Sequence, residues 1–506
     1  MGNINKNQNN KIIKVNISKK HESNDFSDIY ANRCNLIDSY NEDVTATIAI
    51  VAYNRLDITK ICIESLLKYT ADVKFKLILV YNENELGSGI LDYFKSVNYK
   101  NKIIIHLTGN LGAPIAYQQI SKFVEGKYFV HLPNDVIVTK NWLTNLIKCA
   151  ESDLAIGMIN PASSNVSNRQ QVNLEFGNYD EMQAAAAEYN VSDPHKWKER
   201  LRLITLGTMF TRECLSVIGD VFDLGFVHDF GDDDVSFRVR RAGYKTIFAC
   251  DTWVHHAHEE IGRSMDILEN GRNIFRQKYY GIDAWDDVNN YVEHIISNNI
   301  SMPTDIENVN ILGIDVRCGT PVLDIKNAIR EYEAYTPELS AFSNDSKYYM
   351  DLKTICSGNV VCDRIDYLYN SFKNNYFDYI IIGQNINEYS QPEKVIRDAY
   401  ALLKQNGHLF VSLKNTYNIF TLLKSLGHEI NYNEHAVHYE VSEFCATLKN
   451  MGINTQLIYL EHFNTNDVVF DFTSKIIDFA RPDYSNRDDV INKIMTDRFW
   501  IKIVKR

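Results

Sequence analysis

Three adjacent carboxylates, Asp232, Asp233 and Asp234, stand where a helix ought to begin, in the stretch Phe230-Gly231-Asp232-Asp233-Asp234-Val235-Ser236-Phe237-Arg238. Val235, Phe237, Val239 and Ala242 can supply the buried side of that helix, and Gly243 can end it. One Asp at a helix start is ordinary, because it caps free backbone N–H groups and its charge suits the dipole. A charge there gains only about 0.3–1 kcal/mol, and like charges side by side give much of that back unless a cation is close. The run therefore points to a site that handles a proton, a cation or both. A short hop downstream, Cys250-Asp251-Thr252-Trp253-Val254-His255-His256-Ala257-His258 is an apolar strand ending in three histidines. Upstream, Asp135 follows the apolar run Tyr128 to Leu132 through Pro133-Asn134. Pro-Asn-Asp is ordinary turn chemistry. The alternative is a hard-cation ligand beside a diphosphate, since Mg²⁺ or Mn²⁺ in such sites takes one or two carboxylates and leaves other positions to phosphate oxygens.

The elements that must position these residues follow from patterning. Thr47-Ile48-Ala49-Ile50-Val51-Ala52-Tyr53 is a short apolar run of the kind that makes a buried parallel strand. Asn54-Arg55-Leu56-Asp57 turns, and Ile58 to Lys68 has helical spacing. Further strands are expected at Phe75 to Val80, Ile103 to Leu107 and Tyr128 to Leu132, with a helix around Ile115 to Phe123. Alternating strand and helix predicts a doubly wound α/β sheet, with ligands at the strands' carboxyl ends. Tyr53-Asn54, Asn110 and Pro133-Asn134-Asp135 all fall there.

The chain has 506 residues, 45% of them hydrophobic, enough for two or three cores. A net charge of −12 argues against nucleic acid as the main partner. The nine cysteines are scattered without metal spacing and read as reduced thiols in a cytoplasm. No secretory signal and no membrane span are expected. Residues 1–44 are polar, rich in Asn and Lys, and are expected to form a flexible arm.

Residues 45–283 resemble a family 2 glycosyltransferase of the GT-A fold, a Rossmann-like, mostly parallel sheet. TIAIVAYNRLDITKICIESLL resembles the family's first strand, turn and helix, GNLGAPIAYQQ its Asn-x-Gly segment, and HLPNDV its metal-binding Asp-x-Asp strand end. NPASSNVSNRQQV resembles a loop of the bacterial subgroup that modifies surface proteins. FGDDDVSFRVRRAGY resembles the helix start that carries the catalytic base, CDTWVHHAH the metal-binding His, and GRNIFRQKYYG the segment that closes the domain. The resemblance implies an inverting enzyme that moves a sugar, N-acetylglucosamine as first choice, from a UDP-sugar to a hydroxyl. Donor contacts are implied for Ala52, Tyr53, Asn54, Arg55, Asn82, Asn110, Gly112, Asn134 and Asp135. Asp135 and His256 would hold Mn²⁺ or Mg²⁺, with His255 and His258 as alternatives. Asp232 or Asp233 would be the base, and Asn165, Arg169, Gln170 and Asp234 would meet the acceptor, a Ser or Thr hydroxyl of a bacterial surface protein such as flagellin. The chain departs from the family pattern at Pro133, where the first Asp of Asp-x-Asp would stand, at Tyr81, where an acid usually contacts uracil, and at Gly231, where a Glu precedes the base.

Residues 284–306 read as a linker, and a second α/β pattern fills 307–506. Its strands at Asn310 to Asp315, Phe377 to Ile382 and His408 to Leu413, with Phe499 to Val504 as closing strand, resemble the class I S-adenosylmethionine-dependent methyltransferase fold. Only Gly319 remains of the three usual glycines of the cofactor loop; Arg317 and Pro321 take the other places. The domain is expected to be degenerate and not to bind S-adenosylmethionine. Two rival readings are a bifunctional glycosyltransferase and methyltransferase in surface glycan synthesis, and a non-catalytic sugar-nucleotide-binding protein.

Overall fold

The computed structural model describes residues 11–17, 40–83, 88–110, 112–226, 229–257, 265–303, 308–333, 336–426, 437–463, 467–480 and 486–506. The chain divides into two units, Met1–Asn289 and Asn290–Arg506. Both are mixed α/β with largely parallel sheets.

The first unit is built on strands β1 (Lys11–Val15), β2 (Ala46–Ala52), β3 (Phe75–Asn82), β4 (Lys102–Leu107), β5 (Tyr128–His131), β6 (Val136–Ile137), β7 (Ile156–Ser163), β8 (Trp197–Glu199), β9 (Thr208–Thr211) and β10 (Lys245–His256). They line up as β1-β4-β3-β2-β5-β9-β7-β10-β6, with β8 on β10. β2 and β3 are almost wholly buried because helices cover both faces, which is why they read as continuous apolar runs. β1 to β5 pair in parallel, so Ala52, Asn82, Leu107 and His131 all end at one edge of the sheet. β10 pairs β7 in parallel, and its register slips between Ala249 and Trp253. That bulge bends the strand, as an extra residue in one partner does. Its last residues turn to an antiparallel match with β6, His256 facing Val136.

β1 corrects the expectation of an arm without structure over residues 1–44. Its side chains Ile13 and Val15 pack against the core beside β4, a small apolar face that composition averaged over the segment hides. Residues 1–10 and 18–39 lie outside the described residues.

The second unit has β11 (Asn310–Ile314), β12 (Glu338–Ser343), β13 (Val360–Cys362), β14 (Phe377–Ile382), β15 (Leu403–Lys414), β16 (Thr455–His462) and β17 (Thr496–Val504), in the order β13-β12-β11-β14-β15-β17-β16. β17 runs antiparallel to both neighbours; the other pairs are parallel. A helix spans Pro392–Leu402 ahead of β15. The strand expected over His408 to Leu413 is longer, Leu403–Lys414, and includes Gly407.

Candidate active site

The carboxyl edge of the first sheet gathers the residues expected to hold a donor. Ala52 is wholly buried and lies beneath the edge, while Tyr53, Asn54 and Arg55 follow it into solvent. Arg55 takes a left-handed φ of 64° and ends the turn before helix Leu56–Tyr69. Asn134 Nδ2 donates to Thr59 Oγ1 at 2.9 Å and to the Asn54 carbonyl at 3.3 Å, joining the turns after β2 and β5. Asn82 Nδ2 donates to Asn110 Oδ1 at 2.6 Å, and Gly112 N donates to the same oxygen at 2.9 Å. The other amide atom, Asn82 Oδ1, is buried and meets no partner among the described residues, so it can accept from a ligand.

Asp135 and His256 face each other, Oδ2 to Nε2 at 3.5 Å, both half-buried. The β6–β10 register makes this pair: Ala257 N donates to the Asp135 carbonyl at 2.9 Å. His256 Nδ1 donates to the Asn165 carbonyl at 2.9 Å, which fixes the tautomer and turns Nε2 toward the carboxylate. Burial works against the charged imidazole, but the Asp135 hydrogen bond and charge outweigh it and raise the His256 pKa. His255 is different: Ser164 Oγ lies 2.8 Å from its Nδ1, Phe176 meets its ring edge-on, and burial lowers its pKa. It braces the strand end. His258 lies outside the described residues. Among the described residues there is no group of three or more His, Cys, Asp or Glu placed to hold a metal. Asp135 and His256 fit a cation that takes its remaining ligands from a diphosphate and water.

The acidic helix is Gly231–Arg241, and none of its three Asp residues caps it. Phe230 does so by adopting a left-handed φ of 65°, which leaves the three carboxylates in the first turn. Each has a different environment. Asp232 is half-buried and accepts from the Thr205 hydroxyl; burial, eased by that bond and raised again by Asp233, lifts its pKa to about 6. Asp233 is buried against the Arg202 guanidinium, and burial still raises its pKa. Asp234 is 0% exposed and takes donors from Arg238 Nε (2.8 Å), Lys278 Nζ (2.5 Å) and Tyr279 OH (2.7 Å). Its carboxylate is turned inward and ties helix Met265–Lys278 to the acidic helix, so an acceptor contact at Asp234 does not fit this geometry.

Gln170 also moves from the acceptor side to the interior. It is wholly buried, with Oε1 accepting from Ile204 N at 2.7 Å and Nε2 donating to the Ile204 carbonyl at 3.1 Å. Asn165 and Arg169 are exposed on the same turn. Sequence reasoning missed residues 200–206. Thr205 bonds Asp232, Leu203 N donates to Ser236 Oγ, Arg240 Nε donates to the Leu201 carbonyl, and Leu206 N donates to Asn160 Oδ1 on β7. From the end of β7, Ser164 and Asn165 reach His256. β7 and the 200–206 segment thus hold both Asp232 and His256, through separate hydrogen bonds. The available signal was the alternation Arg200-Leu201-Arg202-Leu203, two cations in an apolar segment with no function of their own.

At the corresponding edge of the second sheet the buried carboxylate is taken up by the protein's own donors. Asp315 ends β11 with Oδ2 accepting from Tyr389 OH at 2.6 Å and Oδ1 from Asn344 N at 2.7 Å, and burial raises its pKa. Gly319 has φ 109°, and a Cβ there would come within 2.3 Å of Ile355 Cδ1 and 3.3 Å of Leu352 Cδ2. The close approach that glycine permits is used by the protein's own apolar side chains. Asp345 accepts from Lys347 N at 2.9 Å and starts the next turn. These residues depart from the cofactor loop that the methyltransferase resemblance implies, with Arg317 and Pro321 in two of its three glycine places.

No curated protein sequence matches the chain. Among solved structures, GalNAc-T7 with UDP, GalNAc and Mn²⁺ aligns at a TM-score of 0.37 and 14% identity over 47% of this chain and 50% of that one, so this chain spans half the length of that protein. YcgJ from Bacillus subtilis aligns at a TM-score of 0.29 and 14% identity, over 42% of this chain and 97% of that one. The complex of the Haloferax volcanii Trm112 methyltransferase activator with a methyltransferase aligns at 0.29 and 11%, over 47% and 94%. Residues 47–204 match the family described as Glycosyl transferase family 2, which supports glycosyl transfer as the activity of the first unit.

Proposed function

We propose that the first unit is an inverting, metal-dependent glycosyltransferase using a UDP-sugar, N-acetylglucosamine being the first choice of sugar. The supporting observation is the Asp135–His256 pair, held where β6 and β10 meet, with the partly exposed Asp232 held by the Thr205 hydroxyl. When bound between Asp135 and His256, Mn²⁺ or Mg²⁺ would offset charge on the departing diphosphate. Asn134 and Asn54 hold the turns beside it, and Asn82 Oδ1 offers an acceptor to an imino N–H of the base. Asp232 takes the proton of the attacking hydroxyl. With a pKa of about 6 it is ionised at neutral pH yet basic enough to accept that proton. Direct attack opposite the diphosphate inverts the anomeric carbon.

The acceptor in this reading is a Ser or Thr hydroxyl of a surface protein such as flagellin, met by Asn165 and Arg169, and the enzyme is cytoplasmic. Among the described residues no helix is long and apolar enough to cross a membrane. The domain assignment in this reading is 45–283 for the transferase, 284–306 for the linker and 307–506 for a methyltransferase-like domain that does not methylate. The test is intact-mass analysis of flagellin incubated with the full chain, UDP-N-acetylglucosamine and Mn²⁺. The expected result is a gain of N-acetylhexosamine that excess chelator stops. Full transfer in chelator overturns the metal, and transfer only to a lipid carrier or free saccharide overturns the acceptor.

A further inference from the structure

Asp232 and Asp233 are chemically equivalent neighbours, and one side chain makes them unequal. Arg202 Nε binds the buried Asp233 directly, while Asp232 accepts from the neutral Thr205 hydroxyl and feels the guanidinium only as a nearby charge. The same guanidinium reaches away from the helix, with Nη1 3.4 Å from Asn168 Oδ1 and 3.2 Å from Asn289 Oδ1. Asn168 answers with a bond from Nδ2 to the Arg202 carbonyl at 2.9 Å. Asn168 and Arg169 both sit in the left-handed region, at φ 60° and 53°, and both their carbonyls accept from Arg200 Nη1, at 2.9 and 3.0 Å. Non-glycine residues held there are strained, and persist only where the surroundings hold them.

We infer that Arg202 is a positioning residue: its guanidinium locks Asp233 and the Asn168–Arg169 turn together, leaving Asp232 as the carboxylate that takes the proton. This rests on the reading of Asp232 as the general base. The charged groups beside the pair are Arg202 and, next on the helix, Asp234, which Arg238 and Lys278 already match. Removing the cation but keeping both carboxylates makes Asp232 harder to ionise; removing Asp233 but keeping Arg202 makes it easier.

The test is carboxyl ¹³C NMR of the Asp-labelled full chain across a pH series, with resonances assigned from Asp232→Asn and Asp233→Asn. The Asp232 titration should move up by about one unit in Arg202→Met and down by about one unit in Asp233→Asn. Arg202→Lys keeps a charge but loses the planar fork, so it should leave that titration near its original place. It should still speed amide exchange at residues 165–170. If Arg202→Met does not fold, Asp233→Asn carries the titration and Arg202→Lys the exchange. A shift of the same sign in Arg202→Met and Asp233→Asn, no shift in Asp233→Asn, or unchanged exchange in Arg202→Lys overturns the inference. The base reading fails separately: if Asp232→Asn releases UDP from UDP-N-acetylglucosamine as the native chain does, Asp232 is not the base, whatever the titrations show.

Discussion

Two parallel sheets in one chain treat their carboxyl edges in opposite ways. In the first, Asp135 and His256 at strand ends and Asp232 at a helix start are partly exposed groups, whose partners hold them in place without covering them. In the second, Asp315 stands at the equivalent strand end but is closed in by Tyr389 and Asn344, and Ile355 and Leu352 press on Gly319. Sheet topology supplies a crevice in either case. Whether it becomes a site depends on a few side chains: polar groups left reachable make chemistry possible, and apolar groups of the same volume make a core.

The comparison can be broken or sharpened by substitution. The largest effect is expected from Asp232→Asn, which should lower turnover by roughly 10²–10⁴-fold while donor binding persists, as measured by UDP release and by calorimetry with UDP. In the native chain the base must be ionised, so the rate should fall as pH drops through about 6, the value to which burial lifts the Asp232 carboxyl. A flat profile through that range would leave Asp232 without its role. Asp234→Ala comes next and should act on stability. It removes the buried carboxylate that Arg238, Lys278 and Tyr279 share, though Lys278 keeps Asp223, costing about 3 kcal/mol in denaturant unfolding. In the second unit, Tyr389→Phe removes one donor from the buried Asp315 and should cost about 1–3 kcal/mol with no change in turnover. The smallest expected signal is none at all: calorimetry of the full chain with S-adenosylmethionine should show no binding heat. Micromolar binding there would erase the contrast between the two edges and restore the bifunctional reading.

Much of the first site was legible because strand ends announce themselves. An apolar run that stops at Asn134-Asp135 or at His255-His256 has its polar residues at the carboxyl end by construction. What could not be read was which polar residues turn inward. Asp234 and Gln170 look like their neighbours in sequence, yet each is wholly buried because its partners, Lys278 and Ile204, come from distant segments. The helix start was placed correctly but its cap was not, since Phe230 takes a left-handed conformation that propensity assigns to Gly or Asn. Residues 200–206 carried no motif. Their importance comes from bonding Asp232, Asp233, Ser236 and Asn160 at once, a property of packing rather than of local pattern.

β1 has a consequence for how the protein is made. Lys11–Val15 pairs with Lys102–Leu107, in register from Lys11 opposite Ile103. On a ribosome adding about 5–20 residues per second, the earlier strand leaves first and waits several seconds for the edge it will cover. During that interval β2, β3 and β4 can assemble with their helices, because their contacts are closer along the chain. The strand made before its partners is therefore among the last to be seated, and until then the backbone groups of β4 form an open template for another chain. Fast translation or a weakened β1 should accordingly appear first as aggregation of newly made chains, before any loss of activity in those already folded.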